Sequence, residues 1–180
     1  MPTFLAVGRL PAVRVAVVFG AVSLALLMLL ATDAQAAKRT QRAHAATDSV
    51  EAAVVSKLNV IRRSQGLPLL RTDSRLLHAA DAHSSEMLSA GLFSHDSPTG
   101  VSCATRIRKF VQARTVGETL AWLAGTPVDQ QAERTVQLWM NSPPHRATLL
   151  TAAFHRIGVS RMAGTMFGRR GVAFTADLAG

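Results

Sequence analysis

The sequence predicts an α+β fold, an α/β/α sandwich in which helices cover a small antiparallel sheet on both sides. Two observations support this expectation. Apolar residues recur at helical spacing through most of the chain after residue 48, whereas short segments of β-branched and aromatic residues follow only after Phe154. Because a helix with one apolar face must bury that face against another layer, helices followed by strands favour a layered arrangement.

The first 36 residues have the composition of a targeting segment. Two arginines precede an uncharged apolar stretch at residues 15–31, and a small-x-small tripeptide ending at Ala36 then fits a signal peptidase. We therefore expect residues 1–36 to be a signal peptide and the mature protein to be secreted. The alternative is an uncleaved N-terminal anchor, which would hold the domain on the outer face of the membrane through this segment alone. Residues 37–48 are polar and basic, and we expect them to form a linker.

The single domain predicted over residues 49–180 is basic. The whole chain has 20 Lys and Arg against 11 Asp and Glu, which gives a formal net charge of +9. An exported basic protein is expected to meet anionic envelope polymers or lipid headgroups. We do not expect nucleic acid as a partner, because no nucleic-acid-binding motif accompanies the scattered basic residues. The single cysteine, Cys103, cannot form an internal disulfide, and we expect the domain to be a monomer.

Capping signals place the first two helices. Asp48 and Glu51 form a capping box at the start of a first helix, which Gly66 ends. Asp73 is placed to cap a second helix, which ends at Gly91. Both predictions rest on local residue chemistry and on apolar residues that recur every three or four positions.

Three shorter helical segments are predicted after a turn-rich loop. The first is a basic helix over residues 102–113. Pro127 opens the second, with Val128 on its inward face, because proline is favoured at the first helical position. The third is a short turn of helix over residues 143–150.

Two segments near the C terminus are predicted to be strands. Residues 157–160 and 171–178 are rich in β-branched and aromatic side chains, and a glycine-rich segment separates them. They therefore predict a hairpin of a small antiparallel sheet. The sequence shows no internal repeat and no second module.

Ordered motifs run through nearly the whole predicted domain. They lie at residues 58–68, 76–87, 93–100, 117–121, 139–150, 154–159 and 174–178. Together they resemble the bacterial SCP-like domains of the CAP superfamily (cysteine-rich secretory proteins, antigen 5 and pathogenesis-related proteins). The resemblance implies a sheet flanked by helices, with a cleft lined by histidine and acidic residues in which some members bind a divalent metal.

The resemblance places His95 and Glu118 in this cleft. The family's late-strand histidine is absent, since that region reads Val172-Ala173, and His145 is the residue that could fill its space. Zinc needs three or four ligands, so the metal hypothesis is a zinc ion held by His95, Glu118 and His145. Without a metal, Glu118 would either orient the His95 imidazole for a ligand or close a buried hydrogen bond with it.

A second group of residues is expected to serve the fold. Trp139 is predicted to be a core aromatic, and Ser142 to cap the short helix that begins at Pro143. Arg146 is expected to reach an acidic neighbour or the rim of the cleft. His83 is predicted to be a surface or core residue and not a ligand.

Three functions remain open from the sequence. The leading hypothesis is non-enzymatic extracellular binding of a lipid, a small amphipathic molecule or a cell-envelope component in the His/Glu cleft. The second is a metal-dependent hydrolase or peptidase that acts on an extracellular polymer, with Glu118 as the general base. The third is a structural or stress-resistance envelope protein in which the His/Glu pair only stabilises the fold.

Overall fold

A computed structural model describes residues 50–180, together with Gln35 and Lys38. The signal peptide or anchor predicted over residues 1–36 and the linker predicted over residues 37–48 lie, apart from those two residues, outside the described part. Within that part, no helix combines the length and the apolar character that crossing a bilayer requires.

Helices and strands form three layers within Ala46–Gly180, the second of two units into which the chain divides. The helices are α1 (residues 50–64), α2 (Ser74–Ala90), α3 (Cys103–Arg108), α4 (Val128–Asn141) and α5 (Pro143–Leu149). The strands are β1 (Arg71–Thr72), β2 (Val116–Ala124), β3 (Arg156–Met166) and β4 (Arg169–Ala179). One core cluster joins α1, α4 and α5 to one face of the sheet, and two smaller clusters join α2 and α3 to the other face. The predicted α/β/α sandwich is therefore confirmed.

The sheet is larger than predicted, and it is mixed. Its order is β1-β3-β4-β2, with β1 parallel to β3 and the other two pairs antiparallel. The prediction of a purely antiparallel sheet was wrong at β1, and it assigned no strand to β2. Most of β2 is buried, so it lacks the clean alternation of a half-exposed strand.

The C-terminal hairpin is also longer than the segments 157–160 and 171–178 that the sequence suggested. Apart from the two-residue turn at Phe167 and Gly168, its glycine-rich part belongs to the strands. Gly164 lies inside β3 because Leu88 of α2 packs against it, and a Cβ there would come within 2.6 Å of the Leu88 side chain. A glycine that signals a loop in the sequence is thus a point of close helix–strand approach.

Three details of the predicted helices were wrong. α3 ends at Arg108, not at residue 113. Val128 is 47% exposed, and the inward face of α4 begins one turn later, at Gln131 and Ala132. Pro127 is the residue before α4 and not its first helical residue.

The four residues expected to serve the fold have mixed outcomes. Trp139 is fully buried and donates from Nε1 to the carbonyl of Leu120 at 2.9 Å, which confirms a core aromatic. Pro143 begins α5 as predicted, but the Ser142 side chain makes no capping hydrogen bond. Arg146 donates to the carbonyl of Met140 at 2.6 Å, near the end of α4, and reaches no acid within the described chain.

Asp73 confirms the predicted cap of α2 and also joins this helix to β3. Its carboxylate accepts from the backbone N–H of Arg75 at 2.9 Å and from the guanidinium groups of Arg75 and Arg156 at 3.0 and 3.1 Å. The hydrogen bond from the Arg75 side chain is the main cause that lowers the pKa of Asp73 to about 2. The same carboxylate therefore stabilises a helix end and a contact between two elements.

We expect Asp73→Ala to lower the free energy of unfolding by about 1 kcal/mol near neutral pH, as for other N-cap losses. The folded pKa of Asp73 is depressed, so its contribution is complete above the unfolded pKa of about 3.9 and disappears as pH falls through about 2. The difference between variant and parent, measured by urea unfolding along a pH series, should therefore shrink across that interval. Asp129→Ala, at an exposed position in the first turn of α4, is the control. A pH-independent difference would contradict the prediction.

Candidate functional site

His95 lies in the loop between α2 and α3, and two contacts with α2 hold that loop. The fully buried His83 bonds through Nε2 to the carbonyl oxygen of Ser94 at 2.8 Å, and the hydroxyl of Ser97 donates to Glu86 at 2.8 Å. Because a carbonyl oxygen only accepts, Nε2 of His83 carries the hydrogen. His83 is thus a core residue, one of the two locations that the sequence left open, and it fixes the backbone next to His95.

The structure brings His95 and Glu118 together. Nδ1 of His95 lies 2.8 Å from Oε1 of Glu118, whose carboxylate is completely buried, while half of the His95 side chain is exposed. Nε2 of His95 has no hydrogen-bond partner in the part of the chain that the structure describes. The carboxylate therefore fixes one edge of the imidazole and leaves the other edge open.

Two charged residues that sequence reasoning missed complete the cluster. Arg106 of α3 donates from Nη2 to Oε2 of Glu118, and its Nη1 lies 3.7 Å from Oδ2 of Asp177 on β4. The Arg106 side chain is 5% exposed, and both carboxylates are fully buried. Arg106 lies in a run of mostly basic residues at 106–109, and because such runs are usually exposed, its burial was not predicted. Asp177 is the one acidic residue in the largely apolar β4, and this isolated acid could have indicated a buried charged site.

The two carboxylates next to Arg106 have opposite pKa shifts. Burial acts to raise the pKa of Glu118, but the hydrogen bond from His95 and the charge of Arg106 outweigh it, and the pKa is lowered. Burial, with the charge of Glu118 beside it, raises the pKa of Asp177 well above its ordinary value. Of the two acids beside Arg106, Glu118 is therefore the one that favours the ionised form and Asp177 the one that favours the protonated form.

The two histidines at the open side of the cluster also differ. The hydrogen bond to Glu118 raises the pKa of His95, whereas burial, together with the positive charge of His95, lowers the pKa of His145. The ring of His145, on α5, lies 6.4 Å from that of His95 between centroids, with the rings tilted by 58°. The site thus presents one imidazole that favours the protonated form beside one that favours the neutral form.

These residues do not fit the zinc site proposed from the sequence. Both oxygens of Glu118 already accept hydrogen bonds, one from His95 and one from Arg106, and the buried guanidinium lies where a second cation would be repelled. His145 is near His95 but shares no carboxylate with it. Among the described residues, no group of three or more His, Cys, Asp or Glu side chains is arranged to hold a metal ion.

The site reaches solvent through His95. Half of the His95 side chain is exposed, whereas the side chains of Glu118 and Arg106 are buried. The cluster therefore offers a polar anchoring point at the surface.

The sequence pattern that defines CAP, the cysteine-rich secretory protein family, matches residues 55–174 of the chain. The chain belongs to the CAP family. The matched segment contains His95, Arg106, Glu118 and His145, but it ends before Asp177. The resemblance noted in the sequence is thereby confirmed at the level of the family.

Two relatives of this CAP protein come from Bacillus subtilis (strain 168). YkwD is 35% identical over 127 residues, which are 70% of this chain and 48% of YkwD. The membrane protein YlbC is 33% identical over 110 residues, which are 61% of this chain and 30% of YlbC. The chain thus spans about half of one relative and less than a third of the other.

Solved structures agree with the fold. An extracellular SCP-domain protein from Bacillus anthracis has a TM-score of 0.59 and 30% identity, and the match covers 74% of this chain and 41% of that one. An outer surface protein from Borrelia burgdorferi has a TM-score of 0.62 at 22% identity, with 74% and 93% of the two chains covered. The second similarity shows the fold alone.

Proposed function

We propose that this CAP protein acts outside the cell as a binding module, and that His95 anchors an anionic group of its ligand. The ligand classes that fit are a small amphipathic molecule, a lipid or an envelope component with a carboxylate or phosphate group. One observation supports this proposal most directly: a half-exposed imidazole whose Nδ1 is held by a buried carboxylate and whose Nε2 has no partner among the described residues.

The chemistry of His95 selects an anion. Its raised pKa extends the pH range over which the ring is an imidazolium, and an imidazolium donates from both nitrogens. With Nδ1 donating to Glu118, the hydrogen on Nε2 is available to a ligand oxygen. Hydrogen bonds between two ionised groups are roughly twice as strong as neutral ones, so a carboxylate or phosphate oxygen is the preferred acceptor.

An extracellular location is supported by two independent observations. The first 36 residues have the composition of an export signal, and the similar SCP-domain protein from Bacillus anthracis is an extracellular protein. Whether residues 1–36 are cleaved or retained as an anchor, the domain would face the same outer compartment.

The geometry favours binding over the metal-dependent hydrolase. A general base must reach the proton that it removes, whereas the Glu118 carboxylate is fully buried and both of its oxygens are engaged. Calorimetric titration with zinc tests this alternative directly. Submicromolar zinc binding that both His95→Ala and His145→Ala abolish would rank the hydrolase first.

The binding proposal is tested with decanoate and decyl phosphate as probes. We expect His95→Gln to weaken their binding at least about tenfold, which corresponds to the loss of one hydrogen bond to a charged group. Binding to the parent should weaken as pH rises through the raised pKa of His95, because the ring then loses its positive charge. Isothermal titration calorimetry from about pH 6 to about pH 9 measures both effects.

His78→Gln is the matched control, because His78 is an exposed histidine on α2 that makes no contact with His95 or Glu118 among the hydrogen bonds of the described residues. It should leave affinity and pH dependence unchanged. If His95→Gln binds both probes like the parent but unfolds more readily, the His95–Glu118 pair is structural. The hypothesis of a structural or stress-resistance envelope protein then replaces this proposal.

A further inference from the structure

The hairpin between β3 and β4 turns at Phe167 and Gly168. The backbone conformation at Phe167 is unfavourable for a residue with a side chain. Met166 pairs with Arg169, so the loop has two residues, and φ is 54° at Phe167 and 69° at Gly168. Positive φ at both central positions defines a type I′ turn, which favours Asn-Gly or Gly-Gly. Phe167 is the single non-glycine residue with positive φ in the described chain.

The ring of Phe167 gains little burial in return. It is 66% exposed, and its one aromatic contact is an edge-on approach to Phe93 with centroids 6.3 Å apart. A bulky residue at positive φ that remains mostly in solvent is strained without a core to compensate it. Such an outlier indicates a task for the side chain outside the fold.

The surroundings of Phe167 are apolar and basic. Another exposed apolar side chain, Leu138 (39%), lines the cavity beside Phe167, and the exposed Leu92 (42%) precedes Phe93 in the sequence. That cavity, of about 410 Å³, has Trp122 in its wall. Its cationic lining residues are Arg134 and Arg169, it has no acidic lining residue, and Arg170 is exposed next to them.

We propose that this hairpin tip, Phe167 with Arg169 and Arg170, docks the domain onto an anionic lipid bilayer. The surface beside His95 is a polar anchor for one ligand group, whereas the tip is an exposed aromatic residue followed in sequence by two exposed arginines. An aromatic ring enters the interfacial region of a bilayer, and arginines contact the headgroup phosphates. A folded protein partner would have to supply both an apolar pocket and several acids at the same place.

The test places a tryptophan reporter at the tip of the full chain. Phe167→Trp is mixed with phosphatidylglycerol vesicles that contain brominated acyl chains, and its fluorescence is compared with that of the parent, which has only Trp122 and Trp139. We expect brominated anionic vesicles to reduce the added emission at least about twofold. Phosphatidylcholine vesicles, or the added changes Arg169→Gln and Arg170→Gln, should abolish the effect. Residues 1–36 would attach the chain to both kinds of vesicle, so only quenching that requires anionic lipid and the two arginines is assigned to the tip.

Phe110→Trp is the matched control, since Phe110 is also an exposed aromatic residue, with Arg108 and Lys109 beside it. It should not be quenched, and equal quenching at both positions would show adsorption by charge alone and overturn the proposal. A second variant, Phe167→Asn, gives the turn its preferred residue, so its unfolding midpoint should equal or exceed that of the parent. A clear drop in the midpoint would show that the ring only packs on Phe93.

The alternative to a bilayer at this hairpin tip is a second copy of the chain. A concentration-dependent dimer in sedimentation experiments that Phe167→Asn abolishes, together with an unquenched tip, would assign the patch to self-association and overturn the proposal. Binding of decanoate at His95 is measured without vesicles, so failure of the tip leaves the proposed function intact.

Discussion

Replacing Arg62 with methionine is expected to destabilise the domain by at least about 3 kcal/mol. Arg62 of α1 is completely buried, and its guanidinium donates to four backbone carbonyls. The acceptors are Pro68 at 2.8 Å, Leu149 at 2.6 Å, Thr151 at 3.2 Å and Phe154 at 2.7 Å. Each buried acceptor left without a donor costs about 1–3 kcal/mol, and small domains have only about 5–15 kcal/mol in total.

Arg62 is unusual because no carboxylate pairs with it in the described part of the chain. Burial lowers the pKa of Arg62. The partial negative charges on the backbone carbonyl oxygens of Leu149, at the end of α5, and of Thr151 stabilise the guanidinium in place of a carboxylate. The guanidinium joins α1 to the segment at Pro68, just after the helix, and to residues 149–154, which are distant in sequence. We expect Arg62→Lys to recover little of the loss, because one ammonium group cannot reach acceptors spread around a planar fork.

Urea unfolding followed by circular dichroism measures this effect. Arg63→Met is the matched control, because Arg63 is the next residue on the same helix and is exposed. Surface substitutions of this kind usually change stability by less than about 0.5 kcal/mol. If Arg62→Met and Arg63→Met unfold at the same urea concentration, the four hydrogen bonds do not stabilise the domain as described.

Arg62 and Arg63 also show where sequence reasoning stops. The two residues are adjacent and chemically identical, and only the tertiary position of α1 decides that one is buried. Local chemistry, by contrast, was sufficient for Asp73 and Gly91, because an N-cap and a left-handed C-cap are formed by residues near the helix ends themselves. Elements defined by local signals could thus be predicted, and contacts between distant segments could not.

The same distinction between local signals and distant contacts applies to the candidate site. His95 and Glu118 are 23 residues apart, and it was the resemblance to a family, not any spacing, that placed them together. Arg106 and Asp177 were missed because they are buried together only where α3, β2 and β4 meet, which is a tertiary contact. β2 was missed for a related reason, since a strand covered on both faces loses the alternation that marks a strand.

The sharpest test of the site compares two buried carboxylates next to the same guanidinium. We expect Glu118→Gln to lower the free energy of unfolding by about 3 kcal/mol or more, because it leaves the buried Arg106 without its ionised partner. Asp177→Asn should change stability by less than about 1 kcal/mol at about pH 4, where the raised pKa of Asp177 favours the protonated carboxyl and asparagine has nearly the same shape. Glu133→Gln is the surface control, since the Glu133–Lys57 pair is exposed and expected to contribute at most about 1 kcal/mol.

The pH dependence separates these cases further. The folded pKa of Asp177 is raised, so the folded protein holds a proton that the unfolded chain releases above about pH 3.9. The contribution of Asp177 to the stability of the parent therefore falls with rising pH between that value and the raised pKa, and Asp177→Asn, with no proton to lose, should gain stability relative to the parent over the same interval. The double variant Glu118→Gln/Arg106→Gln should lose less than the sum of the two single variants, because neither charge is then buried alone. Equal losses for Glu118→Gln and Asp177→Asn, or additive losses in the double variant, would show that Arg106 does not discriminate between its two neighbours.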